Sequence, residues 1–306
     1  MNTQRDFRFA ARLSLATAVL MYGLIVLGSV VRTTASGLAC PDWPLCHGRL
    51  IPPLQFNILI EWFHRLIAAL VSLGLVATAA WTYARPAVRA RLGVTMAIAL
   101  VLLPIQILLG ALTVWKLLDP GVVGGHLANA LLLFAAVSTY ALIAHREASG
   151  APEAAADPER RTLFVTATVA TFAQAVLGGI VSTNHAALAC PDWPTCDGVW
   201  FPPLSGIVGM QMTHRYGAYA LVALMLVVAT RARTAANPAL RRGGAQLLGL
   251  TLFQVVIGVC NVFLHVPVWL SALHLAVATA MIARALTLTF LSGAAAVARD
   301  PRVIAR

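Results

Sequence analysis

The sequence predicts an all-α, polytopic membrane protein whose eight transmembrane helices form two tandem, parallel four-helix bundles. Three observations carry this expectation. The 306 residues are 59% hydrophobic and only 11% charged, with a mean hydropathy of +0.81, whereas a soluble chain is about half apolar and about a quarter charged. Eight apolar stretches, at 12–32, 63–84, 93–114, 123–144, 162–183, 212–230, 244–264 and 269–291, are each long enough to cross a hydrocarbon core as helix. A barrel would show short alternating segments instead. Finally, "LACPDWPLCHG" at residues 38–48 returns as "LACPDWPTCDG" at residues 188–198.

Charge fixes the direction of each span in turn. Arg5, Arg8 and Arg12 precede the first helix, which has no small-residue cleavage site leading into a soluble domain and is expected to be retained. The cysteine motif follows, then the second helix. Arg85, Arg89 and Arg91 join helices two and three, and Lys116 lies between three and four. Arg146, Arg160 and Arg161 join four and five; Arg231, Arg233, Arg241 and Arg242 join six and seven; Arg299, Arg302 and Arg306 follow the eighth. The opposite connections hold little beyond Arg49, Lys116 and the helix-edge Arg32, Arg65 and Arg215. Positive residues mark the cytoplasmic side. Both termini are therefore expected in the cytoplasm and the cysteine loops outside, in a bacterial inner membrane. The net charge of +11 reads as topology, not as a nucleic-acid surface.

The halves are copies. Residues 28–53 and 178–203 are identical at 14 of 26 positions, including Gly28/Gly178, Cys40/Cys190, Trp43/Trp193 and Cys46/Cys196. "FHRLIAAL" meets "THRYGAYA", pairing His64-Arg65 with His214-Arg215; further on, Gln106 meets Gln254, Gly110 meets Gly258 and His126 meets His274. Four helices per unit is an even number, so the repeat is parallel, not inverted. The expected units are 1–145 and 162–306. The linker at 146–161 is rich in Ala, Glu and Pro, a composition that predicts mobility.

The residues suited to chemistry fall in the repeat. Cys40 and Cys46, and likewise Cys190 and Cys196, stand six apart in loops where oxidation is permitted. A structural staple, a redox-active pair and a zinc site using His47 are the readings open for them. Cys260, inside helix seven, reads as packing. His64, His126, His214 and His274 recur at matching depth on helices that enter from outside, whereas His47, His145, His185 and His265 are unmatched. Ionisable residues at membrane depth are costly and usually functional. Two imidazoles on facing helices suit axial ligation of a haem iron, while zinc or copper would want three or four donors. Arg65 and Arg215 then read either as haem propionate contacts or as snorkelling residues. The halves differ at one position of consequence: Glu61, three residues before His64 and on its helix face, is matched by Gln211. Glu61 reads as a solvated helix-start carboxylate or as a proton acceptor at an N-terminal site that does chemistry, with the C-terminal site carrying electrons or holding structure.

"EWFHR", "GHLANA", "MTHRYGA", "LHLAVAT" and the Cys40/Cys46 pair, set in two four-helix repeats, resemble the haem A synthase family over roughly residues 12 to 291. The resemblance implies oxidation of a methyl group of haem O to the formyl group of haem A. It implies His64 and His126 as ligands of the substrate haem, and His214 and His274 as ligands of a resident haem b. It further implies Glu61 as the essential carboxylate and Cys40–Cys46 as an outer-loop disulfide, with less to be drawn for Cys190 and Cys196. A haem O synthase upstream and the assembly of haem-copper oxidases downstream are the implied partners, with membrane lipid around the chain and no nucleic acid; a homo-oligomer is compatible with it. Two rival readings are a two-haem cytochrome or haem carrier without macrocycle chemistry, and a transporter built on parallel repeats, which leaves the histidine pairs unexplained.

Overall fold

A computed structural model of the chain describes residues 3–150 and 157–293. Arg299, Arg302 and Arg306, and residues 151–156 of the expected linker, lie outside the described residues. Among those described there are eight α-helices: α1 (Thr3–Thr33), α2 (Phe56–Ala84), α3 (Pro86–Trp115), α4 (Pro120–Ser149), α5 (Pro158–Thr183), α6 (Gly206–Ala232), α7 (Pro238–Phe263) and α8 (Val268–Ser292). All eight are long and apolar enough to cross a membrane, as the sequence predicts for a multi-pass membrane protein.

Every helix is longer than the apolar span that announces it. α1 has 31 residues, about 46 Å at 1.5 Å per residue, against a hydrocarbon core of about 30 Å. Hydropathy registers only the part in the core, whereas backbone hydrogen bonding continues into the polar margin. Prolines at the first helical position and side-chain caps set several starts. Asp119 accepts from the Gly121 and Val122 amides, Asp157 from Arg160, and Asn237 from Ala239. Residues 146–149 and 158–161, at the two ends of the expected linker, are helical.

In the N-terminal bundle the packed sides are α1·α2, α2·α3, α3·α4 and α1·α4; in the C-terminal bundle they are α5·α6, α6·α7, α7·α8 and α5·α8. The histidine-bearing pairs α2/α4 and α6/α8 are therefore diagonal in their bundles. Between bundles, α1 packs on α8, α4 on α5 and α4 on α8. Exchanging the halves turns the first contact into the second and leaves the third unchanged, so the two bundles are related by a pseudo-twofold axis. Polar contacts tie this interface: the Tyr22 hydroxyl donates to the Ala276 carbonyl at 3.0 Å, and Arg32 Nη1 to the Ser182 carbonyl at 3.1 Å. The remaining large apolar side chains of the helices are widely exposed, as is required where lipid, not water, surrounds them.

Candidate functional site

His64 and His214 are each the ninth residue of their helices, and His126 and His274 each the seventh. At about 1.5 Å per residue, all four lie roughly 9–12 Å from the loop end. The matched depth expected from the repeat is thus present, but His64 and His214 stand over two turns inside helices that begin earlier than their apolar spans. Each ring fits against a glycine of the preceding helix. A Cβ added at Gly28 would come within 3.4 Å of His64 Cε1, at Gly110 within 3.2 Å of His126, at Gly178 within 3.0 Å of His214 and at Gly258 within 3.1 Å of His274. The glycines shared by the repeats are the clefts that seat the imidazoles.

The His214 and His274 ring centres lie 6.5 Å apart at 72°. A metal ion between two imidazoles stands about 2 Å from each ligating nitrogen, so ring centres roughly 6 Å apart are what shared ligation needs. Nδ1 of His64 and of His274 is buried without a hydrogen-bond partner among the described residues. No cluster of three or more His, Cys, Asp or Glu suited to a metal is present among them. Two nitrogen donors per bundle and the unsatisfied ring atoms among the described residues fit a haem held between the paired histidines; they do not supply a zinc site.

The glutamines around the rings differ between halves. Gln174 of α5 spans His214, its amide nitrogen 3.0 Å from Nδ1 and 2.8 Å from the backbone oxygen. A Cβ at Gly217 would come within 2.2 Å of Gln174 Oε1, so this contact needs glycine there. The corresponding pair in the N-terminal half is Leu24 and Ile67, and His64 has no such bond. Sequence reasoning missed Gln174; a polar residue inside an apolar span was the available clue.

Glu61 is the sixth residue of α2 and is 4% exposed, which overturns its reading as a solvated helix-start carboxylate. Its Oε2 accepts the Cys40 backbone N–H at 2.8 Å, and its Oε1 accepts from Arg65 Nη2 at 2.5 Å. Arg65 also donates to the backbone oxygens of Cys40, Asp42 and Leu45. Arg215, 6% exposed, likewise donates to Cys190 and Thr195 carbonyls. These arginines therefore hold the cysteine loops, a role the sequence reading did not include. Gln211, at 5% exposure, occupies the place of Glu61 without its charge.

The loops are built alike. Cys40 is bonded to Cys46 and Cys190 to Cys196, while the His47 ring bonds the Ala39 carbonyl, so no thiolate is left for zinc. Cys260 is free and packs beside the C-terminal core. The turn after each second cysteine has positive φ at both central residues, His47 (55°) and Gly48 (68°), or Asp197 (51°) and Gly198 (76°); this left-handed pair is what a tight two-residue reversal requires. Asp42 caps the first turn by accepting the His47 and Gly48 amides at 2.6 and 2.7 Å. Asp192 does the same for Asp197 and Gly198 and also accepts from the Thr195 hydroxyl, where the other loop has Leu45.

The Gly48 amide holds the Asp42 carboxyl below the usual range. The Thr195 hydroxyl, then the Gly198 amide, hold Asp192 down to about 2. A depressed carboxyl stabilises its loop fully above the unfolded value near 3.9 and loses that contribution as pH falls through the folded value. Protection of the Asp197 and Gly198 amides against hydrogen exchange is expected to persist to pH 3 and to fall towards pH 2, about the Asp192 value. Protection unchanged by Asp192→Ala would refute the cap.

The model of the cytochrome oxidase assembly protein family COX15-CtaA matches residues 11–59 and 54–286. The chain belongs to that family. The COX15-CtaA match takes in Glu61, all four histidines and both cysteine pairs. Relatives named "Heme A synthase" include one from Symbiobacterium thermophilum, 32% identical over 257 residues (80% of this chain, 83% of the relative). Others come from Methylobacterium sp. (strain 4-46), 30% identical with 84% of each chain covered, and from Shewanella oneidensis, 29% identical with 84% of this chain and 89% of the relative covered.

Proposed function

We propose that this COX15-CtaA member is a haem A synthase, an oxidoreductase that converts a methyl group of haem O to formyl in its N-terminal bundle. The observation that carries the reading is a difference in charge between the matched sites: both bundles pair two histidines, but only the N-terminal one adds a buried carboxylate, Glu61, one turn from a ligand. The names of its relatives point the same way. His64 and His126 would hold the substrate haem, and His214 and His274 a haem b. When bound, that haem b supplies one-electron transfer.

Two successive two-electron oxidations take the methyl to an alcohol and then to a geminal diol, which loses water to give the aldehyde. Each oxidation adds a water oxygen to carbon and releases two protons and two electrons, the electrons going to a one-electron acceptor external to the chain. Glu61 is the group positioned to receive one of the protons, or to stabilise positive charge developing on carbon. The Cys40 amide and Arg65 hold its carboxylate in place. Since the loop carbonyls and Glu61 occupy both terminal nitrogens of Arg65, a propionate would find only Nε, and we assign Arg65 to the loop; Arg215, with one loop carbonyl on each terminal nitrogen, keeps N–H groups for a propionate. By the distribution of arginine, the histidine-bearing ends face outward from a bacterial inner membrane, with both termini in the cytoplasm. The product would pass to haem-copper oxidase assembly and the substrate come from a haem O synthase.

Pigment extraction from purified protein, with chromatography and mass analysis, tests this. Haem A or its alcohol intermediate is expected beside haem b. Haem b alone, after expression with haem O available, would instead mark a cytochrome, and no pigment would favour transport.

A further inference from the structure

One contact between the bundles joins a residue to its own counterpart. Residues 28–33 read "GSVVRT" and residues 178–183 read "GGIVST", so Arg32 is matched by Ser182. Each is the last residue but one of its helix, α1 or α5, and Arg32 Nη1 donates to the Ser182 carbonyl at 3.1 Å. The pseudo-twofold axis exchanges position 32 with position 182, so a contact between the two lies on that axis. One turn further into the same helices stand Gly28 and Gly178, the glycines that seat His64 and His214. Residues four apart share a helix face and are separated by about 6 Å along it. Arg32 therefore stands at the junction of the two histidine pockets, on the loop side of both.

The protein leaves this charge without a counter-charge. Nη1 meets only a neutral carbonyl, and neither Nε nor Nη2 has a hydrogen bond or a carboxylate partner among the described residues. Nor are those two nitrogens sealed in, unlike Nε of Arg85 and of Arg284. A tie between bundles would not need a cation, since any neutral donor satisfies a carbonyl. The repeat also supplies the cation only once. A second arginine at position 182 would meet the first across the axis, where like charges in contact repel. One guanidinium thus serves a place that both bundles share. A charge at membrane depth calls for a partner, and the planar fork of a guanidinium matches a carboxylate.

We infer that Arg32 is a carboxylate-binding residue shared by the two pockets, taking a propionate of the haem on either side of the axis. This rests on the reading of the four histidines as haem ligands. The propionates are the ionised part of an otherwise apolar macrocycle, and burying them unpaired among the helices is costly. The loop end of the bundles is the nearer polar margin, and Arg32 is the open cation there that both pockets reach. A charge held in common also suits the division of labour, because it brings the carboxylate edges of a substrate haem and a relay haem to one point between the bundles.

The test uses two full-length chains in detergent, one carrying His214→Ala with His274→Ala and the other His64→Ala with His126→Ala, so that each keeps one pocket. Purified from cells starved of haem, they are titrated with iron protoporphyrin IX and with its dimethyl ester, which has no free carboxylate, and binding is read from the Soret band. Arg32→Gln is expected to weaken binding of the diacid by about tenfold or more in both chains, the worth of one charge-assisted hydrogen bond, and to change binding of the diester by less than about twofold. Arg32→Lys, which keeps the charge, should keep most of the preference for the diacid. Equal loss of diacid and diester would mark Arg32 as a structural tie, and unchanged diacid binding in both chains would mean that no carboxylate meets it; either result overturns the inference. Loss confined to one chain overturns the shared site. A chain lacking all four histidines keeps this inference separate from the reading it rests on. If that chain binds the diacid as tightly as the two-histidine chains, the ligand assignment falls and takes the inference with it; weak binding there leaves the assignment standing whatever Arg32→Gln does.

Discussion

Replacing Glu61 by glutamine is expected to leave a folded, haem-containing protein that makes roughly a hundredfold less haem A, the usual cost of removing one catalytic group of this kind. Glutamine keeps the shape and an oxygen for the Cys40 amide, which now meets Oε2 at 2.8 Å. It loses the negative charge opposite Arg65 and the capacity to take a proton. The substitution converts the N-terminal site into an imitation of the C-terminal one, where Gln211 is already buried, so the fold itself demonstrates that glutamine is tolerated at this place. Haem A and the alcohol intermediate, measured per unit of protein in cells supplied with haem O, give the readout. Near-normal haem A from Glu61→Gln at matched protein level would show that the carboxylate is not catalytic and that the difference between halves has another cause.

A second cause has to be separated from the first, because Glu61 and Arg65 together anchor the Cys40–Cys46 loop. Loss of the ion pair slackens Arg65, which still has three loop carbonyls to hold it. The loop geometry should therefore survive, and haem content should be close to that of the unaltered protein. A variant that lost pigment together with activity would point to the loop and not to proton transfer.

The helices and the repeat were legible because hydropathy and identity act locally: apolar runs report the bilayer, and Cys40/Cys190 or His64/His214 align by inspection. The four histidines were legible because imidazole in a membrane needs a reason and the repeat supplied a second instance of it. Helix ends were not, since Phe56 and Gly206 begin their helices in polar margins that hydropathy does not distinguish from loop. The burial of Glu61 depended on that missing turn and on the Cys40 amide, 21 positions away. From sequence Arg65 reads as a propionate contact or a snorkelling residue, whereas the Glu61 carboxylate and three carbonyls converge on it, the carbonyls from a loop whose path is set by the disulfide and the Asp42 cap. Gln174 and Gly217 acquire meaning only when α5 and α6 are set side by side; a single chain position shows a polar residue and not what it touches.

The second large effect concerns the histidines taken one at a time. His214→Ala and His274→Ala are each expected to deplete the stably bound haem b by more than about tenfold, since even the outer partners of a metal ligand commonly matter by that factor. His64→Ala and His126→Ala are expected to spare that pigment and to reduce capture and oxidation of haem O. The geometry behind this is the pairing of His214 with His274 across the bundle, ring centres 6.5 Å apart, with Gln174 steadying the first of them from 3.0 Å. Alanine at either position also opens a space beside Gly178 or Gly258, where the imidazole edge now lies within 3.0 or 3.1 Å of an added Cβ. Free imidazole can enter that space, so millimolar imidazole should restore part of the lost Soret absorbance in His214→Ala and His274→Ala and thereby distinguish a missing ligand from a misfolded bundle. Optical spectra and pigment analysis of the four purified variants decide the matter: loss of the same haem in all four would mean one shared site and would sink the division into a substrate bundle and a haem b bundle.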